Sequence, residues 1–291
     1  MSWVEIWHKG LNSALLDRRW LDGFVARDAD SIAQRTEVAS IAVSGLAPSI
    51  LCLHGFTGVP HEVRLGCDVA SSLGLAARAP LLTGHGTSSL DLANTRYEDW
   101  FSAAKAAFDE LRARGPVFLL GLSMGSLLAT ELCLSAPGDV LGLILVSNAF
   151  WLKTPYPAWA LAAADRLNLP NFRIKKGGSD IFDLEARLSH ISYQAQPLHG
   201  AVDVLRAGER LRARLADVHR PTLVLHGGRD QVCPVENAWR VAERLGSGDS
   251  RVVIFPKSHH ILTRDCERTE VAAEIRRFVA DRLPLPAKTT A

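Results

Sequence analysis

Short apolar runs alternate along the chain with longer segments whose apolar residues recur every three or four positions. The runs 37–43, 49–53, 76–81, 117–121, 141–146, 222–226 and 251–255 are apolar on nearly every residue, as strands are when helices cover both faces of a parallel sheet. Segments 61–73, 96–114, 124–135, 235–246 and 268–282 carry helical spacing. Strand then helix, repeated, predicts an α/β fold with a mostly parallel central sheet flanked by helices.

The rhythm stops between residues 146 and 222, where roughly 75 residues hold no strong strand. That is too long for an ordinary crossover. The stretch is rich in aromatics (Phe150, Trp151, Tyr156, Trp159, Phe172, Tyr193) and regains helical periodicity over 202–218. It predicts a helical cap, 148–219, inserted into a core made of 37–147 and 220–284. Phe150, Trp151 and Trp159 are candidates to line a substrate pocket, the cap's own core being the other use for them. Ahead of the core, 1–36 reads as a helical extension whose apolar stripe (Trp3, Ile6, Trp7, Leu11, Leu15, Leu16, Trp20) could pack on the sheet, join two copies or make a peripheral lipid contact. Residues 285–291 read as a flexible tail.

Composition narrows the class. Lys and Arg (33) nearly balance Asp and Glu (31) over 291 residues, a net charge of +2, so there is no basic field to attract nucleic acid. The run 206–220 is basic, but Glu209 and Asp217 interrupt it, as on a solvated helix face. No apolar stretch approaches the roughly 20 residues of a transmembrane helix. The first 20 residues lack the unbroken apolar stretch of a secretory signal. Five cysteines, none in a metal or redox spacing, suit a reducing compartment, and the expected location is the cytoplasm. Cys233, close to a loop singled out below, is expected to be a small buried residue rather than a reactive thiol.

Four pieces of chain carry the chemistry. Gly121-Leu122-Ser123-Met124-Gly125 lies between a strand and a helix. A serine on so sharp a turn needs small residues two before and two after it, and faces the positive end of the following helix. A serine hydroxyl needs an oriented base to become a nucleophile. The strand 222–226 runs into Gly227-Gly228-Arg229-Asp230, and the strand 251–255 runs into Ser258-His259-His260, both at the carboxyl edge where α/β sheets build their sites. The order Ser, Asp, His is that of α/β-hydrolases. The fourth piece, His54-Gly55-Phe56-Thr57-Gly58, is a glycine-bearing loop after an early strand. Its Phe56 amide, with that of Met124, is a candidate oxyanion hole.

These pieces, together with Gly84-His85-Gly86 and Tyr97-Glu98-Asp99-Trp100, resemble the serine α/β-hydrolase superfamily, and within it compact bacterial carboxylesterases and monoacylglycerol lipases. The resemblance covers most of 49–280 and aligns His260, not His259, with the catalytic histidine. It implies an α/β-hydrolase fold and a small-molecule ester as substrate, with short- to medium-chain acyl groups. It implies Ser123, Asp230 and His260 as triad, no cofactor and no metal. The histidines at 54, 61, 85, 226, 259 and 260 occupy separate loops without the spacing of zinc enzymes. The elbow residue is not Asp, which disfavours dehalogenase and epoxide hydrolase chemistry. A thioesterase, amidase or carbon–carbon hydrolase could use the same triad, and a catalytically silent binding protein could keep the fold. Within sequence reach, Glu236 and Asp265 are the candidate acids to stand in for Asp230.

Overall fold

The computed structural model describes residues 38–154, 157–167, 173–193 and 195–283. Its core is a seven-stranded sheet of β1 (Ile41–Val43), β2 (Leu46–Leu53), β3 (Leu75–Ala79), β4 (Val117–Leu122), β5 (Val140–Val146), β8 (Thr222–Gly227) and β9 (Ser250–Phe255). The spatial order is β1-β3-β2-β4-β5-β8-β9. Every pairing is parallel except β1 with β3. β3 stops before Pro80, which has no N–H to give a ladder.

Alternate residues of the central strands enter two separate cores. Leu51, Leu53, Leu119, Leu143 and Leu145 join one apolar cluster, with α3 (Tyr97–Arg112) and α4 (Met124–Ser135). Ile50, Cys52, Phe118, Leu120, Ile144 and Val146 join the other, with α1 (Arg64–Ser72) and α9 (Arg268–Ala280). This two-sided burial is why the strands read as unbroken apolar runs.

Several boundaries differ from the sequence reading. The segment 61–73 is a 3₁₀ turn, Pro60–Val63, followed by α1. The segment 235–246 forms only α8 (Asn237–Ala242). A five-residue α2 (Ser89–Ala93), capped by the Ser88 side chain, is too short for periodicity to show.

Between β5 and β8 lie α5 (Ala158–Arg166), β6 (Arg173–Lys175), α6 (Leu184–Leu188), β7 (Ala195–Pro197) and α7 (Leu198–Arg212). The antiparallel pair β6 and β7 corrects the expectation of a wholly helical insertion; at three residues each, such strands leave no alternating pattern. Helix α7 packs into the same cluster as α4 through Val204, Ala207 and Leu211. Arg96, before α3, grips Asp203 of α7 with two hydrogen bonds of 2.6 and 2.7 Å. The insertion is therefore bolted to the core along α7. Arginines of the basic run are paired, Arg210 with Glu131 of α4 and Arg214 with Asp217 of the run itself. The apolar stripe of the first 20 residues, and Tyr156 and Phe172, lie outside the described residues.

Candidate active site

β4 ends at Leu122 and α4 starts at Met124, leaving Ser123 alone in the turn with φ 55° and ψ −120°. The left-handed φ is strained for a serine. Glycines make the turn sterically feasible: a Cβ on Gly121 would lie 2.2 Å from Gly125 O, and one on Gly125 would lie 2.1 Å from Leu53 O. The Ser123 amide donates to Val146 O at 2.9 Å. The Ser126 hydroxyl donates to Ser123 O at 2.6 Å.

Loops after β8 and β9 bring the other two residues to this turn. His260 Nε2 is 3.0 Å from Ser123 Oγ, and its Nδ1 is 2.8 Å from Asp230 Oδ2. Asp230 Oδ1 accepts the amides of Val232 and Cys233, both at 2.8 Å. All three residues are buried. Burial opposes the Asp230 charge, but His260 and His226 outweigh it and hold the carboxyl well below the usual range. Burial likewise opposes the His260 cation; the charge and hydrogen bond of Asp230, helped by Asp180 and Glu62, leave its pKa above the ordinary value. The second nitrogen-bearing neighbour is His226, whose Nε2 lies 3.2 Å from Asp230 Oδ2. Its ring is too poorly aligned for a hydrogen bond.

The loop after β2 arches over the serine, with a Cβ on Gly55 falling 3.3 Å from Ser123 Cβ. Gly58 N–H closes a turn onto Gly55 O at 3.1 Å, and Tyr193 N–H, from the insertion, reaches Thr57 O at 3.2 Å. Among the described residues no acceptor takes the Phe56 amide. Met124, first residue of α4, has no acceptor within its own helix for its N–H. The Phe56 ring is wedged against Trp100, 5.2 Å between centroids.

The three aromatics considered for an acyl pocket are placed differently. Phe150 is 1% exposed and belongs to the core cluster, so it presents no surface to a ligand. Trp151 is half-buried beneath the guanidinium groups of Arg212, Arg240 and Arg244. Trp159, on α5, is 75% exposed. The stand-in acids are also corrected: Glu236 is exposed, and Asp265 is committed to the amides of Phe182, Asp183, His259 and Cys266.

Local sequence gave no hint of the polar partners from the insertion. Glu62, buried under the loop of Phe56, accepts the Gly55 amide at 3.3 Å and lies 2.9 Å from His190 Nε2. Burial would raise its pKa, but the hydrogen bond and charge of His190, with His54 and Lys176, bring it below the ordinary value. Lys176 Nζ donates to Thr57 Oγ1 at 2.7 Å. Asp180 touches the loops of both Asp230 and His260. These contacts join residues far apart in sequence, and nothing short-range announces them.

Asp230, Cys233 and His260 offer donor atoms within 4.8 Å of one another, but they do not suit a metal. Burial and the Asp230 charge push the Cys233 thiol well up, whereas a metal needs the thiolate.

The model of the family described as serine aminopeptidase, S33 (Hydrolase_4) matches residues 49–267. The chain belongs to this family. It is 27% identical over 232 residues to a thermostable monoacylglycerol lipase of Bacillus sp. (strain H-257), covering 79% of this chain and 90% of that one. It is 22% identical to a carboxylesterase of Bacillus subtilis (strain 168), covering 79% and 92%. A solved structure of the metagenome-derived lipolytic enzymes LipS and LipT superposes with a TM-score of 0.78 at 24% identity, covering 84% of this chain and 98% of that one. The fold is thus that of the serine α/β-hydrolases.

Proposed function

We propose that this protein is a carboxylic ester hydrolase that works through an acyl–enzyme on Ser123. The observation that carries the reading is the hydrogen-bonded series Ser123–His260–Asp230 on a strand-to-helix turn. Ser123 Oγ attacks the ester carbonyl while His260 Nε2 takes its proton; Asp230 holds Nδ1–H and favours the imidazolium. The oxyanion rests on the Phe56 and Met124 amides. Collapse breaks the C–O bond, and His260 returns the proton to the leaving alcohol. Water then attacks the acyl–enzyme, giving its proton to His260, and Ser123 is regenerated as the acid leaves.

The names of the matched lipase and carboxylesterase support carboxylic esters, monoacylglycerols among them, as substrates; that their acyl groups are short- to medium-chain is part of the proposal. The insertion, 148–219, serves in this reading as the cap that selects among them, and the exposed Trp159 is its candidate acyl or lipid contact. Five cysteines without disulfides support a reducing compartment, hence the cytoplasm. No helix among the described residues is long and apolar enough to cross a membrane.

The test pairs labelling with a substrate panel. A serine-directed phosphonate should add once, at Ser123. Turnover should follow p-nitrophenyl ester chain length, and exceed turnover of matched thioesters and aminoacyl anilides. Failure to label Ser123, or faster cleavage of the anilides, would refute the reading.

A further inference from the structure

The insertion contributes a carboxylate to the junction of the two loops that carry the acid and the base. Asp180 Oδ2 accepts the Gln231 amide at 2.7 Å and the His260 amide at 3.3 Å. Its Oδ1 is 2.8 Å from His259 Nδ1, and its carbonyl accepts the Ile261 amide at 3.1 Å. One side chain therefore ties the residue after Asp230 to the main chain of His260. We propose that Asp180 is a positioning residue for His260, setting the imidazole between Ser123 and Asp230 and lending negative charge to the imidazolium that forms when the serine gives up its proton. The proposal rests on the ester-hydrolase reading.

This also gives the neighbouring histidine a job. Adjacent residues in an extended loop point in different directions. His260 faces Ser123, while His259 turns to the far oxygen of Asp180 and fixes the carboxylate in place. A purely structural staple is already present in Asp265, which accepts the amides of Phe182 and Asp183 in the same stretch of the insertion and the amide of His259. Loss of the Asp180 side chain thus leaves the two segments fastened. What it removes is the bond to the base and a nearby charge.

The groups facing His260 come from four elements. Asp230 stands after β8, Asp180 in the insertion, Glu62 in the turn after β2 and Ser123 at the elbow. His226 and Lys153 act through Asp230, Lys153 by donating to its carbonyl at 2.6 Å. Of the carboxylates, Asp230 is required for proton transfer, and Glu62 is engaged by His190 and Gly55. Asp180 is the one whose charge can be removed while those contacts stay.

The experiment compares wild type, Asp180→Asn and Asp180→Ala from pH 5 to 9, reading kcat/KM for a neutral ester beside the NMR titration of the His260 ring. Asn is isosteric and can keep the amide contacts through its oxygen, turning its NH₂ to His259. With Asn, the rising limb of kcat/KM and the ring titration should both move to lower pH, by roughly one unit, because a negative charge near the imidazolium has gone. With Ala, the plateau should fall by about 100-fold, as misplacement of a reacting group does, and Asn should restore much of it. If both variants keep the wild-type midpoint and lose activity only in step with the folded fraction, Asp180 is a structural staple and the proposal fails. If wild type turns over no ester, the functional reading fails instead, and the ring titration still decides for or against Asp180.

Discussion

Gly200 lies under the ring of Phe56: a Cβ at position 200 would fall 2.4 Å from Phe56 Cζ and 2.7 Å from Cε2. The ring is backed by Trp100 and has little room to retreat. A glycine on the third residue of α7 thereby sets where the Phe56 main chain, and its amide, can sit. The Gly200→Ala variant should lose kcat by about tenfold with KM nearly unchanged, since an oxyanion donor acts in the transition state. Overpacking should cost roughly 1–3 kcal/mol of stability. Steady-state kinetics beside thermal melts check this; unaltered kcat would remove Phe56 from the oxyanion hole.

The series at the elbow ranks its own variants. Ser123→Ala and His260→Ala should each reduce turnover by up to about 10⁶-fold and leave the fold intact. His259→Ala should be much milder, acting through Asp180. Finding His259→Ala the more damaging of the two would shift the base by one residue.

Activity should rise with pH through one ionisation, because His260 must be neutral to accept the serine proton. Its pKa is raised, burial being overcome by Asp230, so the midpoint should lie above the ordinary histidine value of about 6.5. Asp230→Asn should cost about 10⁴-fold at neutral pH by leaving the imidazole in the wrong tautomer. With Asp265 committed to backbone amides and Glu236 exposed, no rescue from either is expected. A pH–rate profile of the two enzymes reads both effects; near-normal rates in the Asn variant would displace Asp230 as the acid.

Phe150 and Trp159 should part company. Truncating Phe150 to Ala should destabilise the protein by about 3–5 kcal/mol, the cost of emptying a packed aromatic site, with little change in the ranking of chain lengths. Trp159→Ala should spare stability and alter the preference for longer acyl groups. Denaturant melts and the ester panel separate these, and a Phe150 variant of wild-type stability with a new chain-length optimum would place its ring in the acyl pocket.

The pair Glu62 and His190 latches the insertion to the loop of Phe56. Although burial opposes it, the Glu62 pKa is lowered in the folded state, so its stabilising contribution is present above the ordinary carboxylate value and is lost as pH falls through the folded one. Glu62→Gln should cost roughly 1–3 kcal/mol at pH 7, as weakening buried hydrogen bonds to a charged group does, and the gap from wild type should close in acid. Urea melts at pH 7 and pH 3 measure it; a gap of the same size at both would mean that the ionised form of Glu62 contributes nothing to stability.

The elbow was legible in the sequence because its constraint is local. Gly121 is needed against Gly125 within the same five residues, and although Gly125 is needed against Leu53 of β2, the spacing of the two glycines about Ser123 is itself short-range. The same holds for the five inner strands, whose two-sided burial shows as apolar runs, and for the placing of Asp230 and His260 in loops that follow strands. Choosing His260 over its neighbour took the family register. The pair His190 and Glu62 spans 128 positions and that of Asp180 and Gln231 spans 51, and neither has a repeat or spacing by which to be read. Whether an aromatic is core, like Phe150, or stands in water, like Trp159, is equally invisible, since composition states how much apolar surface there is and not which elements meet to cover it. Only the docking of the insertion on the sheet's carboxyl edge decides that. Docking is settled by shape and charge between surfaces that the chain brings together only after its local elements exist.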